Sequence, residues 1–271
     1  MEVVSLSRAF RDYAISNMLT WLSLSAALVY LSFETVSTTQ AIRGFGYRLT
    51  IGEFGLYIFT NNLFLTYGIL FFLALINTAV AQGGTFDRLL FVRMKKREGI
   101  WLARAFVQMG ASSAFLAILI IVWGILSLGD FAMVNSWSEI YSTAPTPGEY
   151  GEPSDFIIDA LTAASAHYGL GPLYSFGILV VKLQLVMWAV SLGVSVLFLY
   201  LSQAKVLFIS FVYLTLFLVA HLTNLHMLAV VTPQFFLLEQ PPNIASFCVW
   251  IGVIIALALI GNYRVKSARL S

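Results

Sequence analysis

Charge is what this sequence has least of. Only 10% of its residues are Asp, Glu, Lys or Arg, against 59% hydrophobic, where soluble domains carry roughly 25% charged residues. With a mean hydropathy of +0.87, that deficit defines an integral membrane protein. The formal net charge of +2 is too small to call for a nucleic-acid partner. Cysteine is almost missing as well. The single Cys248 excludes an intrachain disulfide and a thiolate metal cluster, and in its apolar run it reads as a lipid- or helix-facing residue. No Gly is followed by Lys, so the phosphate-cradling loop of P-loop nucleotidases is absent. The hydrolase signature GxSxG and the zinc signature HExxH are absent too. His221, Asn224 and His226 do not have ligand spacing, nor do Glu149, Glu152, Asp155, Asp159 and His167. The chain is therefore expected not to be an enzyme and to hold no metal or cofactor of its own. A cleaved leader is not expected: Glu2, Arg8, Arg11 and Asp12 precede the first apolar run, and no A-x-A site follows it.

What is abundant is uninterrupted apolar length. A membrane span needs roughly 20 such residues. Six stretches qualify: 16–33, 54–81, 105–128, 173–201, 206–231 and 245–263. They are continuous rather than alternating, which argues against a strand barrel. With both termini on one side, that side collects Arg8, Arg11, Arg88, Arg93, Lys95, Lys96, Arg97, Arg104, Lys205, Arg264, Lys266 and Arg269. Arg43, Arg48 and Lys182 fall elsewhere. The asymmetry places both termini in the cytoplasm. The expected fold is an all-α polytopic membrane protein with six transmembrane helices. It forms a single transmembrane domain over 1–271, multi-pass in a bacterial or archaeal cell membrane.

The connections are read in turn. Residues 1–17 form a short interfacial helix or a frayed tail. Residues 34–53, with Gly44, Gly46 and Gly52, are expected as a partly irregular outer loop. Residues 129–172 form the larger extracellular segment, too short for a core of its own and expected to pack on the outer helix ends. Within it, 144–153 is rich in Pro and Gly, and a short amphipathic helix comes next over 154–168. The turn 202–205 makes the fourth and fifth spans antiparallel neighbours. The apolar, Pro-bearing connection 232–243 is suited to dipping back into the outer leaflet, where protein must cover its backbone.

One strongly charged run stands out, Phe86 to Arg104. Thr85 can cap a helix there; Asp87 suits its positive end, and Lys95, Lys96 and Arg97 its negative end. Gly99 is expected to stop it. Phe86, Leu89 and Leu90 recur at helical spacing, with Phe91, Val92 and Met94 beside them. This predicts a cytoplasmic helix over 86–98 that lies across the span ends and offers apolar side chains to a partner. A basic loop that fixes topology and touches anionic lipid, at about 1 kcal/mol per cation, is the competing reading.

From Asn62 through Arg104 the chain resembles the permease subunit of ABC-2-type ABC transporters. There a span ends in a Gly-containing inner loop, here Gly83 and Gly84, and a hydrophobic and basic segment leads into the next span. Leu89, Leu90, Arg93, Arg97 and Arg104 match that segment, Arg104 one position late, while Met94, Lys95 and Lys96 stand where many relatives carry Pro and Ser. The resemblance implies an exporter-like bundle with a coupling helix of Phe86, Asp87, Arg88, Leu89, Leu90, Phe91, Arg93, Met94, Lys95, Lys96, Arg97 and Glu98. Its partners would be a cytoplasmic ATPase dimer, which holds ATP and Mg, a second permease subunit, identical or related, and membrane lipids. Its cargo would be an amphipathic or hydrophobic substrate (a peptide, a lipid-like molecule or a drug), moved by alternating access. A non-transporting scaffold or sensor, and a stand-alone secondary carrier, are the alternatives from other classes. Polar residues inside spans default to functional candidates. Asn61, Asn62, Asn77, Gln184, His221 and Asn224 are candidates for a translocation path, or else interhelical hydrogen-bond formers. Lys182 is expected to snorkel outward or to pair with an outer carboxylate.

Overall fold

A computed structural model describes residues 17–44, 49–61, 63–81, 97–138, 171–222, 236–237 and 244–267. The regular structure in these residues is helical. That is what continuous apolar sequence requires, because hydrocarbon offers backbone amides no partner outside the segment itself. Four helices are long and apolar enough to span: Met18–Arg43, Trp101–Ser127, Pro172–Leu197 and Ile244–Val265. A bent pair, Ile51–Thr60 with Phe64–Ala79, makes a fifth if it counts as one span. The remaining expected span, 206–231, is described as a helix as far as Leu222.

Helix α1, Met18–Gly44, starts where Asn17 Oδ1 accepts from the Leu19 amide at 2.9 Å, a side-chain cap on an otherwise orphaned donor. Asn17 Nδ2 also reaches Ala79 O at 3.4 Å, which ties the start of the first span to the end of the second. The helix runs on well past residue 33. The irregular loop expected from residue 34 does not begin there, and Glu34 lies inside a helix. Glu34, Gln40 and Arg43 are ordinary helix formers, so their polarity does not end the helix.

Helix α2, Ile51–Thr60, opens on a reciprocal capping box between Thr50 and Glu53. Across residues 61–63 the chain bends by 79°. It then continues as a π-helix, Phe64–Phe71, and as α3, Phe72–Ala81. The apolar run 54–81 is thus a broken span. Its first arm lies across the ends of two other helices, with Gly52 against the backbone of Pro172 and Leu173 and Gly55 against Trp123 and Phe176.

Helix α4, Arg97–Ser127, already includes Gly99. The stop expected there does not occur: one glycine costs a helix only about 1 kcal/mol, less than the apolar continuation Ile100 to Ala103 returns. Arg97 and Glu98 belong to the backbone of this long helix. Phe86, Asp87, Arg88, Leu89, Leu90, Phe91, Arg93, Met94, Lys95 and Lys96 lie outside the described residues, as do 1–16 and the expected helix over 154–168.

Helix α5, Pro172–Leu197, has Pro in its first turn, where the missing amide costs nothing. It is the most enclosed of the long helices; Leu183, Val186 and Met187 are fully buried. Helix α6, Gln203–Leu222, turns back after α5 and rests on the second span. Val206 packs with Ala74 and Val194, Phe211 meets Tyr67 and Phe71, and Thr215 bonds the Tyr67 hydroxyl at 3.3 Å. Helix α7, Ile244–Ser267, packs Gly261 directly on the Trp101 ring.

At the end of the bundle where α5 begins, Phe54, Phe59, Trp123, Phe131 and Phe176 form one aromatic cluster, with Phe54 stacked on Phe131 at 4.1 Å. The start of the outer segment is bonded to this end. Ile51 N donates to Ala132 O at 3.0 Å, Ser138 N donates to Glu53 Oε1 at 2.6 Å, and Arg43 pairs with Asp130.

Candidate functional site

Among the described residues, three polar places involve the residues singled out in the sequence. The first joins α3, α4 and α5. Asn77 is fully buried, and its Nδ2 donates to Leu73 O at 3.0 Å and to Ser191 Oγ at 2.9 Å. Gln108 Nε2 donates to Asn77 O at 3.2 Å. Ser191 and Ser195 turn their hydroxyls onto Met187 O and Ser191 O. Among the described residues Asn77 Oδ1 and Gln108 Oε1 are buried acceptors with no hydrogen-bond partner. Arg104, largely buried, sits one helical turn before Gln108 on α4. The seam therefore bridges the two helices that the charged connector links in sequence.

The second place is the elbow. Asn61 Nδ2 donates to Glu34 Oε1 at 2.7 Å, and Asn61 Oδ1 accepts from the Leu63 and Phe64 amides at 3.0 and 3.1 Å. One side chain thus caps the second arm and fastens the joint to α1.

The third place is Lys182, which neither snorkels nor reaches the outer surface. It is fully buried in α5, roughly 15 Å past Pro172 at about 1.5 Å per residue. Its Nζ donates to Phe236 O at 3.0 Å and lies 5.2 Å from the Phe236 ring and 5.9 Å from the Phe247 ring. Phe236 in turn stacks on Trp250 at 5.5 Å. An ammonium head beside aromatic faces is attracted by their quadrupoles. Of the connection 232–243, residues 236 and 237 are described, and both are buried.

Of the six path candidates, Asn77 joins the seam and Asn61 forms the elbow, at separate places in the fold. Gln184 sits on α5, where its Nε2 is buried and has no hydrogen-bond partner among the described residues. His221 belongs to the backbone of α6, and its side chain lies outside the described part of the chain, as do Asn62 and Asn224. Run length alone assigns Glu53 and Glu34 to a loop. A signal against this is present for the first: Thr50-Ile51-Gly52-Glu53 has capping-box spacing. No signal points to the pairing of Lys182 with Phe236, because the two are linked only in space. Among the described residues no group of three or more His, Cys, Asp or Glu is placed to hold a metal. No family model, no curated protein and no solved structure matches this chain.

Proposed function

We propose that this chain is the membrane-spanning permease subunit of an ATP-driven exporter. A separate cytoplasmic ATPase dimer would power it, and a second permease subunit would complete it. The observation that carries the reading is the charged connector, whose Leu89, Leu90, Arg93, Arg97 and Arg104 match the ABC-2 pattern in a chain with no nucleotide-binding motif. The seam supports it. The connector leads from α3 to α4, and Gln108 of α4 is hydrogen-bonded to Asn77 of α3. A force on the connector would reach the polar groups of the seam along α4, past the packing of Trp101 on Gly261. For such coupling, ATP must bind the two conformations with different affinity. The cargo class is amphipathic or hydrophobic.

The direct test is the double variant Arg93→Glu with Arg97→Glu in the intact assembly. Export is expected to fall at least about tenfold, equivalent to roughly 1.4 kcal/mol of coupling, while membrane insertion is unchanged. Normal export together with normal ATPase association would rule out the connector as the docking element. A stand-alone secondary carrier is the second reading, favoured by Glu34 and Lys182 within the helices. Transport by the purified chain alone on an ion gradient would select it.

A further inference from the structure

Glu34 lies within the spanning part of α1. It sits roughly 15 Å before the helix's outer end, at about 1.5 Å per residue. Its side chain is partly covered by protein, and Oε1 accepts from Asn61 Nδ2 at 2.7 Å. Among the described residues no basic side chain pairs with it; the ion pair at this end joins Arg43 to Asp130. Tyr30 lies one turn before it on α1, and Tyr57 one turn before Asn61 on α2. The π-helix carries one ionisable side chain, Tyr67, whose hydroxyl bonds Thr215 on α6. Helix α3 carries none, and the ionisable residues of α4 (Arg97, Glu98 and Arg104) sit at its opposite end.

A carboxylate inside a membrane helix with no basic partner is costly while charged, and such residues mark ion or proton sites. We propose that Glu34, backed by Asn61 and the phenols of Tyr30 and Tyr57, binds a small monovalent cation at the elbow of the broken span. The proton and an alkali ion share the chemistry that recognises this site, a single positive charge matched to a single carboxylate. Occupancy would be felt at the bend. Asn61 holds Glu34 with its amide nitrogen and caps Leu63 and Phe64 with its amide oxygen, so weakening one bond loosens the other. The inference rests on the placement of Glu34 in a helix long and apolar enough to span and on the lack of a basic partner among the described residues, and stands whichever energy source drives the protein.

The test is thermal unfolding of the purified full chain in detergent. It is run from about pH 5 to about pH 9 in choline chloride, then with sodium or potassium at constant ionic strength. The carboxyl is easier to accommodate neutral than charged, so in choline the melting temperature is expected to fall by several degrees as pH rises. Glu34→Gln should abolish that fall. If an alkali ion is the ligand, sodium or potassium restores the melting temperature on the alkaline side in the wild type but not in Glu34→Gln. If the proton alone is the ligand, neither does. Either pattern supports the site. Identical responses to pH and to both cations in the wild type and Glu34→Gln overturn it. Should Glu34→Gln fail to fold, two further measurements decide. Tyr57→Phe should move the midpoint of the wild-type pH response without removing it. Carbodiimide labelling of the wild type, located by mass spectrometry, should rise at Glu34 as pH falls. An unmoved midpoint together with pH-independent labelling overturns the proposal.

Discussion

Gly52 is where α2 meets α5 with no side chain between. A Cβ there would lie 2.6 Å from the Pro172 carbonyl carbon and 2.7 Å from the Leu173 nitrogen. Backbone atoms cannot step aside as a side-chain tip can, so Gly52→Ala should destabilise the fold by about 1–3 kcal/mol. Gly110 is the control. A Cβ there meets nothing within 4 Å, and Gly110→Ala should change stability by less than about 1 kcal/mol. Equal melting temperatures for the two variants would refute the close approach. Glu53 is a second such point. Its two oxygens accept from the Thr50 and Ser138 amides, both at 2.6 Å, and the residue is fully buried. Glu53→Ala strands both donors and should cost at least about 3 kcal/mol, with Glu53→Gln intermediate; chemical unfolding in detergent reads this directly. The residues are legible in the sequence as types but not always as places. Asn77 stands out because an amide in an apolar run needs a partner. Lys182 stands out equally, yet its partner arrives from more than fifty positions away, and a long stem in an apolar run suggests snorkelling when that carbonyl is out of view. Glu34 is read as the start of a loop because an acid after apolar residues looks like the end of a helix, and here the helix continues to Gly44.

At the scale of elements, the elbow is the feature least visible in the sequence. Residues 54–81 are apolar almost throughout, and hydropathy reports length without direction. The information lies in short-range chemistry instead, in the Thr50–Glu53 box that starts α2 and in Asn61, which both ends it and caps the π-helix after it. Asn61→Ala should therefore cost about 1–2 kcal/mol in stability, the range for a lost cap. It should also broaden the distance distribution between spin labels at Leu56 and Phe72. A wild-type distribution in that variant would mean the bend is held by packing alone. Gly99 misleads in the opposite sense: a local stop signal is outweighed by the apolar helix around it.

At the scale of the molecule, helical class and membrane placement are legible from composition, and the long spans from run length. Which helices share polar contacts is not legible, since those contacts depend on rotation about each helix axis. The seam gives a whole-molecule prediction. In a Cys248→Ser background, Asn77→Cys with Ser191→Cys should cross-link α3 to α5. If the proposed alternating access moves this interface, locking it should reduce transport by at least about tenfold and leave ATPase association intact. Full cross-linking with undiminished transport would show that the seam does not move.

The π-helix carries a consequence for how the length of this chain is constrained. Its i→i+5 bonding accommodates extra residues over Phe64–Phe71, upstream of the helix that carries Asn77. Deleting one residue there would let the stretch relax to α-helix, so the loss is absorbed locally and Asn77 stays turned toward Ser191. Deleting one residue of α3 between Phe72 and Asn77 has no such reserve and would turn Asn77 by about 100° with no residue in the seam having changed. A single-codon deletion in α3, where hydropathy would register almost nothing, is therefore predicted to be as damaging as removing the buried asparagine itself, and the same deletion inside the π-helix to be far milder.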